Sequence, residues 1–348
     1  MTSTAMMRKV VVRGPQKLEL AEAPRPEPGP GEVRVRIQAC GVCGTDLHFF
    51  RDDLMAPGST PGHEMTGIVD ALGEGVDSVR EGAQIAVEPI RSCGHCPFCQ
   101  SGRDNLCSAF EVHGVHRQGG FADFVVVPAR RLFPIAAGIS APVAALAEPI
   151  AVSIHGLRRG AFEKHQRILV LGAGTVGLVT LLAAKGLGAK EVWISARYPR
   201  QAELARTLGA KRVLSEEEAG AEALASLARS TDFDLVVETV GGRADTLRAA
   251  VAALRPGGTV SVLGLFLDRL QLEPFPLLLK EANLCWSNCY QQGGDNGADF
   301  QTAVRLMDGE RERLAQLATH QLPLEQIDQA FRVASDKRAG AVKVSVMP

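Results

Sequence analysis

The chain has 348 residues, which at roughly 150 residues per domain predicts two domains. With 46% hydrophobic and 22% charged residues, its composition is that of a globular protein and excludes a disordered, collagen-like or coiled-coil chain. A net charge of −1 and only 5% aromatic residues argue against nucleic-acid binding, because no basic excess is left to neutralise phosphates. The valine run within the first 14 residues is too short for the apolar stretch of a secretion signal, and glycines interrupt the longest uncharged stretch, 168–184. We therefore expect a cytoplasmic protein without a membrane helix.

The first part of the chain, from about residue 10 to residue 127, consists of short β-type runs separated by glycine and proline. Residues 32–37 alternate polar and apolar side chains, which is typical of a half-buried strand. Turn clusters lie at 24–31 and 73–75. This pattern predicts an antiparallel barrel or sandwich.

From about residue 167 the pattern changes to alternating strands and helices. The predicted strands are 168–171, 191–194, 233–238 and 259–263, the predicted helices are 176–187 and 201–208, and the turn Pro256-Gly257-Gly258 precedes the last strand. Such alternation predicts an α/β domain with a doubly wound parallel sheet. The last ~55 residues are mixed again and end in an alternating strand, 341–347. We therefore predict a β-rich catalytic domain from 1–150 with 293–348, and a cofactor domain from 151–292.

Four of the eight cysteines form the compact pattern C-x2-C-x2-C-x7-C, at Cys93, Cys96, Cys99 and Cys107. In a cytosolic protein this clustering favours a metal over disulfides, and four thiolates suit a closed structural zinc site. An iron–sulfur cluster is the main alternative, but the bacterial ferredoxin pattern has a last gap of three residues followed by proline. Unliganded surface cysteines are the third interpretation. We predict zinc.

A second set of potential ligands comprises Cys43, His63, Glu64 and Glu148. Each is weak evidence alone, because a lone cysteine or histidine is usually a core residue and a carboxylate at a helix start is common. Together they form a Cys/His/carboxylate set that can leave one zinc coordination position open for a substrate.

The run G-H-E-x2-G-x5-G-x2-V that starts at Gly62 resembles the zinc signature of the medium-chain alcohol dehydrogenase family. The segment 43–48, the cysteine quartet and a later glycine-rich turn follow in that family's order, so the resemblance covers nearly the whole chain. It implies a GroES-like catalytic domain and a catalytic zinc on Cys43 and His63, with Glu64 as a direct or exchanging ligand. Glu148, in an Ala-Glu-Pro context, stands where classical alcohol dehydrogenases have a ligand cysteine and resembles the polyol and threonine dehydrogenase branches.

The glycine-rich turn reads G-x-G-x-x-G after an apolar strand and before a helix, which is the context of a dinucleotide site. There the backbone approaches a pyrophosphate that the helix N-terminus holds. The candidate contacts are Gly172, Gly174, Thr175, Val176 and Gly177.

The next strand ends in Ser195-Ala196-Arg197, where NAD enzymes usually have an acid for the ribose 2′-hydroxyl. Arg197 can instead bind a 2′-phosphate through charge-assisted hydrogen bonds, with help from Tyr198 or Arg200. We therefore predict a preference for NADP(H) over NAD(H), and the turn resembles that of family members using NADP(H). The alternative is an NAD enzyme in which Arg197 stacks on adenine.

The family resemblance also implies roles for residues outside the ligand set. Thr45 accepts the substrate proton and passes it through the cofactor ribose to His48, whereas ordinary turn capping is the alternative for both. Asp46 orients His63 through its other ring nitrogen. Lys343 lies near the pyrophosphate, unless it is a solvated lysine on an edge strand.

The sequence therefore predicts a zinc-dependent oxidoreductase, with two zinc ions per chain, that reversibly oxidises a secondary alcohol, polyol or cyclitol with NADP(H). The alternatives are an NAD-dependent, threonine-like amino-alcohol dehydrogenase and a zinc-free quinone reductase-like or non-catalytic nucleotide-binding protein. No lysine or arginine occurs between residues 281 and 304, unlike sorbitol dehydrogenase-like members, and Trp286, Asn288 and Tyr290 point to a less hydroxylated or bulkier substrate. Its expected partner is a small-molecule substrate, which we expect to bind at the open zinc in the cleft between the domains. The family resemblance also implies a homodimer or a homotetramer.

Overall fold

The computed structural model describes residues 5–228, 231–293 and 298–348. Residues 1–4, at the predicted cytosolic start, and 294–297, within the predicted catalytic part, lie outside these ranges. The chain divides into two compact units, Met1–Glu148 with Gln291–Pro348, and Pro149–Tyr290. Among the described residues, no helix combines the length and apolar character needed to cross a bilayer.

Seventeen strands are present in the described ranges. In chain order they are β1 Met6–Gly14, β2 Lys17–Pro24, β3 Glu32–Gly41, β4 Glu64–Leu72, β5 Gln84–Val87, β6 Ile90–Arg91, β7 Glu111–Val112, β8 Phe124–Pro128, β9 Leu132–Pro134, β10 Arg167–Leu171, β11 Glu191–Ser195, β12 Arg212–Leu214, β13 Phe233–Glu238, β14 Leu254–Val262, β15 Asn283–Trp286, β16 Ala318–Pro323 and β17 Lys343–Met347.

Eleven α-helices lie in the same ranges. They are α1 Gly44–Arg51, α2 Pro97–Gln100, α3 Ala141–Ala144, α4 Ala147–Arg159, α5 Thr175–Gly186, α6 Pro199–Thr207, α7 Ala221–Leu227, α8 Thr246–Ala253, α9 Pro274–Lys280, α10 Asp299–Ala315 and α11 Ile327–Ser335. Short 3₁₀ turns follow at Asp104–Leu106, Ala129–Arg131, Leu324–Gln326 and Lys337–Ala339.

The first unit is built on a mostly antiparallel sheet with the strand order β16-β17-β3-β4-β5-β9, and β8 also pairs with β3. β3 alternates as predicted, and it buries Val33, Val35 and Ile37 because these apolar side chains share one face of the sheet. They join one apolar core with residues of β4, β5, β8, β17 and α11. Burying each such side chain contributes roughly 1.5–3 kcal/mol, so this core fixes the strand ends that carry the site residues.

The second unit is a parallel sheet with the order β12-β11-β10-β13-β14-β15. Helices follow most of its strands, and Ile168, Leu169 and Val170 in β10 are fully buried, as expected for a strand covered on both faces. The strand order reverses between β10 and β13, and nucleotide ligands bind at the carboxyl ends of the strands at such a switch point. The glycine-rich turn lies there, after β10. The strand topology confirms the predicted α/β fold, with a β-rich unit and a doubly wound parallel sheet.

β14 departs from the sequence prediction. It begins at Leu254, so Pro256-Gly257-Gly258 lies inside the strand rather than in a turn that precedes it. The pairing with β13 jumps from Phe233–Leu254 to Leu235–Thr259, which makes these residues an irregular, bulged part of the ladder. Gly257 has φ of 71°, which glycine tolerates better than other residues, and this local conformation explains the turn-like sequence.

Candidate active site and cofactor site

Cys43 occupies the N-cap position of α1 in the first unit, with extended backbone angles. Asp46, one turn later, accepts a hydrogen bond from the Cys43 N–H to its Oδ2 at 2.9 Å. This local capping fixes the direction in which the thiol leaves the helix start.

His63 lies immediately before β4 and is buried. It follows Gly62, whose φ of 94° and close packing against Cys40 and Phe121 leave no room for a Cβ atom. Its Nδ1 is 3.7 Å from Asp46 Oδ1, which is beyond hydrogen-bond distance, so the orienting role of Asp46 stays a prediction. The His63 ring shares a hydrogen bond with the Cys43 side chain. Burial lowers the pKa of His63, but the negative charges of Cys43, Asp46 and Glu148 outweigh burial and raise it well above its usual value.

Glu148 is buried in the first turn of α4, and its charge acts on both His63 and Lys343. The His63 imidazole therefore interacts electrostatically with both the Cys43 thiol and the Glu148 carboxylate. The buried His63 Nδ1 has no hydrogen-bond partner in the described part of the chain. These residues fit a zinc ion chemically, although in the described ranges only the cysteine quartet gathers three or more ligand atoms within 4.8 Å.

Glu64, the remaining candidate ligand, is held by Lys343. The Lys343 Nζ donates to both carboxylate oxygens, at 2.7 Å to Oε1, and also to the Val42 carbonyl at 3.2 Å. Glu64 packs so tightly on Gly41 that a Cβ there would lie 1.9 Å from Oε2. The structure thus pairs Glu64 with a cation and does not show it among the other ligand candidates.

Lys343 is not a solvated lysine on an edge strand. It is buried, and β17 runs between β16 and β3. Burial lowers the pKa of Lys343, but the charges of Glu64 and Cys43 more than offset this and raise it. Sequence reasoning left the edge-strand alternative open because the pairing of β16 outside β17 is a tertiary feature.

Lys337, at the start of a 3₁₀ turn, is a charged neighbour that the sequence analysis missed. It is half-buried, and burial together with the nearby charge of Lys343 lowers its pKa to about 8, against the opposing charges of Cys43 and Glu64. No motif marks this residue, since its position depends on how α11 and β17 fold back on α1.

Thr45 and His48, the candidate relay residues, lie in the first two turns of α1 and are partly exposed. His48 Nδ1 is 3.0 Å from an Arg51 guanidinium nitrogen, which can only donate, so Nδ1 is the acceptor. Burial and the positive charge of Arg51 lower the pKa of His48. His48 is therefore neutral at pH 7 and able to accept a proton at Nε2.

The cysteine quartet gathers its four Sγ atoms within 4.8 Å of one another. The Cys96 and Cys99 sulfurs are 3.5 Å apart, and backbone N–H groups point at the sulfurs, for example Cys96 N–H to Cys93 Sγ at 3.4 Å. Hydrogen bonds from backbone N–H groups, first that of His95, lower the pKa of Cys93 to about 6. The set therefore fits a tetrahedral zinc held by thiolates.

A buried charge cluster, which we call the Arg131 cluster, connects the segment of the cysteine quartet to the sheet of the first unit. The Arg131 guanidinium pairs with Glu88 at 2.5 Å and with Asp104, and Gln292 Nε2 donates to Glu88 at 2.7 Å. Burial raises the pKa of Glu88 to about 7. This cluster could not be predicted from the sequence, because its members are far apart along the chain and follow no motif.

In the second unit, the glycine-rich turn adopts the conformation that its sequence predicts. Gly172 has φ of 102°, and a Cβ on Gly177 would lie 1.8 Å from the Gly172 carbonyl oxygen, so both positions require glycine. Gly174 is the N-cap of α5 and faces open space, and Thr175 and Val176 form the first turn of this helix. The arrangement leaves this helix N-terminus accessible to an anion.

The residues that end β11 have separate partners. The Ser195 hydroxyl accepts the Gly172 N–H at 2.9 Å, and so ties β11 to the glycine-rich turn. Ala196 is buried, and Arg197 forms an ion pair with Glu216 at 3.1 Å. Tyr198 lies beside the Arg197 guanidinium, 5.8 Å from guanidinium carbon to ring centroid. Arg200 instead pairs with Glu203 at 2.8 Å.

Of the three residues considered for the substrate, Trp286 is exposed at the end of β15, Asn288 is exposed and Tyr290 is buried. All three belong to the second unit. Cys43 and His63 belong to the first unit.

Comparison with known proteins agrees with this geometry. Residues 29–137 match the alcohol dehydrogenase GroES-like domain, and residues 175–309 match the zinc-binding dehydrogenase family. L-Galactonate-5-dehydrogenase of Escherichia coli is 32% identical to this chain over 85% of each chain. Galactitol 1-phosphate 5-dehydrogenase of the same species is 30% identical over 88% of this chain and 90% of the relative. L-Threonine 3-dehydrogenase of Saccharopolyspora erythraea is 31% identical over 97% of this chain and 98% of the relative.

Two solved structures extend the comparison to nucleotide-bound proteins. A zinc-binding dehydrogenase-type protein of Sinorhizobium meliloti, bound to NADP, has a TM-score of 0.88 and 31% identity, covering 99% of this chain and 100% of the other. RspB of Escherichia coli, complexed with NADH, has a TM-score of 0.88 and 27% identity over the same shares. The chain therefore belongs to the zinc-dependent medium-chain alcohol dehydrogenase family and is an alcohol dehydrogenase.

Proposed function

We propose that this dehydrogenase interconverts a secondary alcohol, in a polyol or cyclitol, and the corresponding ketone, with NADP(H) as its preferred cofactor. Residues 1–150 with 293–348 form the catalytic domain in this proposal, and residues 151–292 form the cofactor domain. The observation that carries it is that the buried His63 interacts electrostatically with the half-buried Cys43, with Asp46 and with the buried Glu148, all in one unit. Bound zinc supplies Lewis-acid chemistry at this place, and the nicotinamide accepts or returns a hydride.

Cys43, His63 and Glu148 are the residues that hold the catalytic zinc in this proposal. A set of three protein ligands leaves one position for a substrate oxygen, as in other catalytic zinc sites. Glu64 serves as an exchanging ligand only if it leaves Lys343, so its resting role is to neutralise that lysine. Cys93, Cys96, Cys99 and Cys107 hold the second, structural zinc, which gives two zinc ions per chain.

Thr45 and His48 move the proton that an alcohol loses on oxidation. Thr45 lies two residues from Cys43 on the same helix start, so its hydroxyl is placed to accept a proton near the ligand cysteine. His48 is neutral and one turn further along α1, and it delivers the proton to solvent.

Arg197 supports the NADP(H) preference, because it supplies a cation where β11 itself ends without an acidic residue. The pyrophosphate is bound by the N–H groups of Gly174, Thr175 and Val176 at the start of α5. Ser195 keeps the turn in place through its bond to Gly172 rather than by contacting the nucleotide. Lys343 does not bind the pyrophosphate directly in this proposal, since its ammonium group pairs with Glu64.

The substrate class is supported by the relatives, two of which act at carbon 5 of hexose derivatives according to their names. The relative named L-threonine 3-dehydrogenase favours an amino alcohol as the second candidate. The deciding experiment is a dehydrogenase screen of polyols, cyclitols, diols, sugar acids and threonine with both cofactors. Turnover of threonine alone would replace the polyol proposal, and the absence of turnover with every alcohol would refute both.

Zinc content provides an independent test of the site. The wild-type chain should bind two zinc ions, and Cys43→Ser should bind one and lose turnover. Cys285→Ser serves as the control, because Cys285 lies in β15 of the second unit. A Cys43→Ser protein that retains two zinc ions would contradict the ligand assignment.

We also propose a homo-oligomer, with the second unit's edge as the contact. β15 ends the parallel sheet, and α9, which precedes β15 along the chain and contacts β14, exposes Phe275, Leu278 and Leu279. An exposed sheet edge beside apolar side chains is a typical surface for pairing with a second copy. Light scattering should give a dimer or tetramer for the wild type and smaller species for Leu278→Asp, and a monomeric wild type would refute the proposal.

A further inference from the structure

The end of β11 lacks the carboxylate expected in an NAD enzyme, but a carboxylate reaches this place from the neighbouring strand. β11 and β12 pair in parallel, with Ser195 opposite Leu214, and the Ala196 N–H donates to the Leu214 carbonyl at 2.9 Å. This pairing places Arg197 beside Glu216, and Arg197 Nε is 3.1 Å from Glu216 Oε2. The nearest negative charge to Arg197 therefore comes from a residue about twenty positions further along the chain.

The loop that carries Glu216 is held by its own hydrogen bonds. The Ser215 N–H donates to Glu218 Oε2 at 2.8 Å, and the Glu218 N–H donates to the Ser215 hydroxyl at 3.2 Å. Glu218 also pairs with Arg212 at 2.7 Å, and Arg212 lies over the Trp193 ring. Glu218 and Arg212 thus pair with each other, and Arg197 and Glu216 form a separate ion pair next to the end of β11.

We propose that Glu216 is a specificity-determining residue of the cofactor site, because it holds Arg197 and competes with a nucleotide 2′-phosphate for the same guanidinium. The inference rests on the proposed preference for NADP(H). NADPH must displace Glu216 from Arg197 before its 2′-phosphate can bind there, whereas NADH needs no such exchange. Glu216 therefore reduces the discrimination between the two cofactors that Arg197 alone would give.

The pair is weak enough to exchange. The side chains of Arg197 and Glu216 are 64% and 65% exposed, and an ion pair with this exposure changes an equilibrium by about fivefold at most. A 2′-phosphate carries more negative charge than a carboxylate and offers more acceptor oxygens, so it wins Arg197 when NADPH is present. Glu216 thus lowers NADPH affinity without abolishing it.

The test measures the dissociation constants of NADPH and NADH for the zinc-loaded full chain by isothermal titration calorimetry at one fixed salt concentration. Glu216→Gln should strengthen NADPH binding by about two- to fivefold and leave NADH binding unchanged. Glu217→Gln is the matched control, because it removes the same charge from an exposed neighbour that forms no ion pair in the described part of the chain. An equal gain from Glu217→Gln would overturn the proposal, because the effect would then be one of net charge.

Arg197→Met separates this inference from the proposed function. If Arg197→Met leaves NADPH affinity unchanged, the NADP(H) preference itself fails. If it weakens NADPH binding but Glu216→Gln gives no gain in the wild-type background, the NADP(H) preference stands and the role of Glu216 falls. The gain from Glu216→Gln should also shrink in the Arg197→Met background, and an undiminished gain would show that Glu216 does not act through Arg197.

Discussion

The Arg131 cluster gives this protein a pH-dependent stability that one substitution should remove. The single guanidinium of Arg131 faces two buried carboxylates, those of Glu88 and Asp104, and cannot neutralise both. Burial and the neighbouring charge of Asp104 raise the pKa of Glu88 from 4.5 to about 7, against the opposing effects of Arg131 and Gln292. Glu88→Gln keeps the side-chain shape and removes the excess negative charge.

The sign and size of the effect follow from this pKa. Between pH 4.5 and pH 7 the folded state binds more protons at Glu88 than the unfolded state, so the free energy of unfolding falls as the pH rises through this range. Each pKa unit corresponds to about 1.4 kcal/mol, which makes the ionised carboxylate cost about 3 kcal/mol above pH 7. Glu88→Gln should match the wild type near pH 5 and exceed its stability by up to ~3 kcal/mol at pH 8.

The assay must report on the first unit. Both tryptophans, Trp193 and Trp286, lie in the second unit, so tryptophan fluorescence would follow the wrong part of the chain. Hydrogen exchange of peptides from β5 and β9, corrected for the intrinsic pH dependence of exchange, measures the opening free energy at the cluster. Glu81→Gln is the control, because Glu81 is an exposed carboxylate in the same unit. Parallel pH profiles for wild type and Glu88→Gln would refute the reasoning.

Three further predictions concern the cysteine quartet, the turn before His63 and the buried Lys343. Cys99→Ser should lower the zinc content measured by mass spectrometry from two ions to one, and an unchanged content would contradict the quartet assignment. Gly62→Ala should cost about 1–3 kcal/mol, seen as a lower melting temperature, because its φ is 94° and its Cβ would lie 2.8 Å from the Cys40 sulfur. Lys343→Met should cost about 3–5 kcal/mol by leaving Glu64 buried without a cation, and adding Glu64→Gln should restore most of this stability. A double variant no more stable than Lys343→Met would show that the loss has another cause.

The sequence predicted best those features that arise from local physics. The apolar run 168–171, the glycine-rich turn and the following helix lie within a single strand-turn-helix segment, and each residue type is required where it stands. The cysteine quartet was similarly recognisable, because its members are close along the chain and their sulfurs converge. The polar and apolar alternation of β3 gave its position because one face of that strand is buried.

Features that depend on tertiary pairing could not be predicted. The pair between Lys343 and Glu64 joins residues 279 positions apart, and only the insertion of β17 between β16 and β3 brings them together. The sequence around Arg197 contains no acidic residue, because its partner Glu216 follows the adjacent strand β12, about twenty positions further along the chain. The Pro256-Gly257-Gly258 sequence indicated a turn because a bulge inside a strand uses the same residue types.

The discontinuous first unit has a consequence for biosynthesis. A ribosome releases residues 149–290 as one uninterrupted stretch, so the second unit can fold as soon as it emerges. The first unit must wait, because β17 pairs with β3 only after the rest of the polypeptide has been made, and contacts this distant along the chain form slowly. Until that strand arrives, Glu64 has no lysine beside it, and the metal-binding end of β4 remains unfinished in the nascent protein.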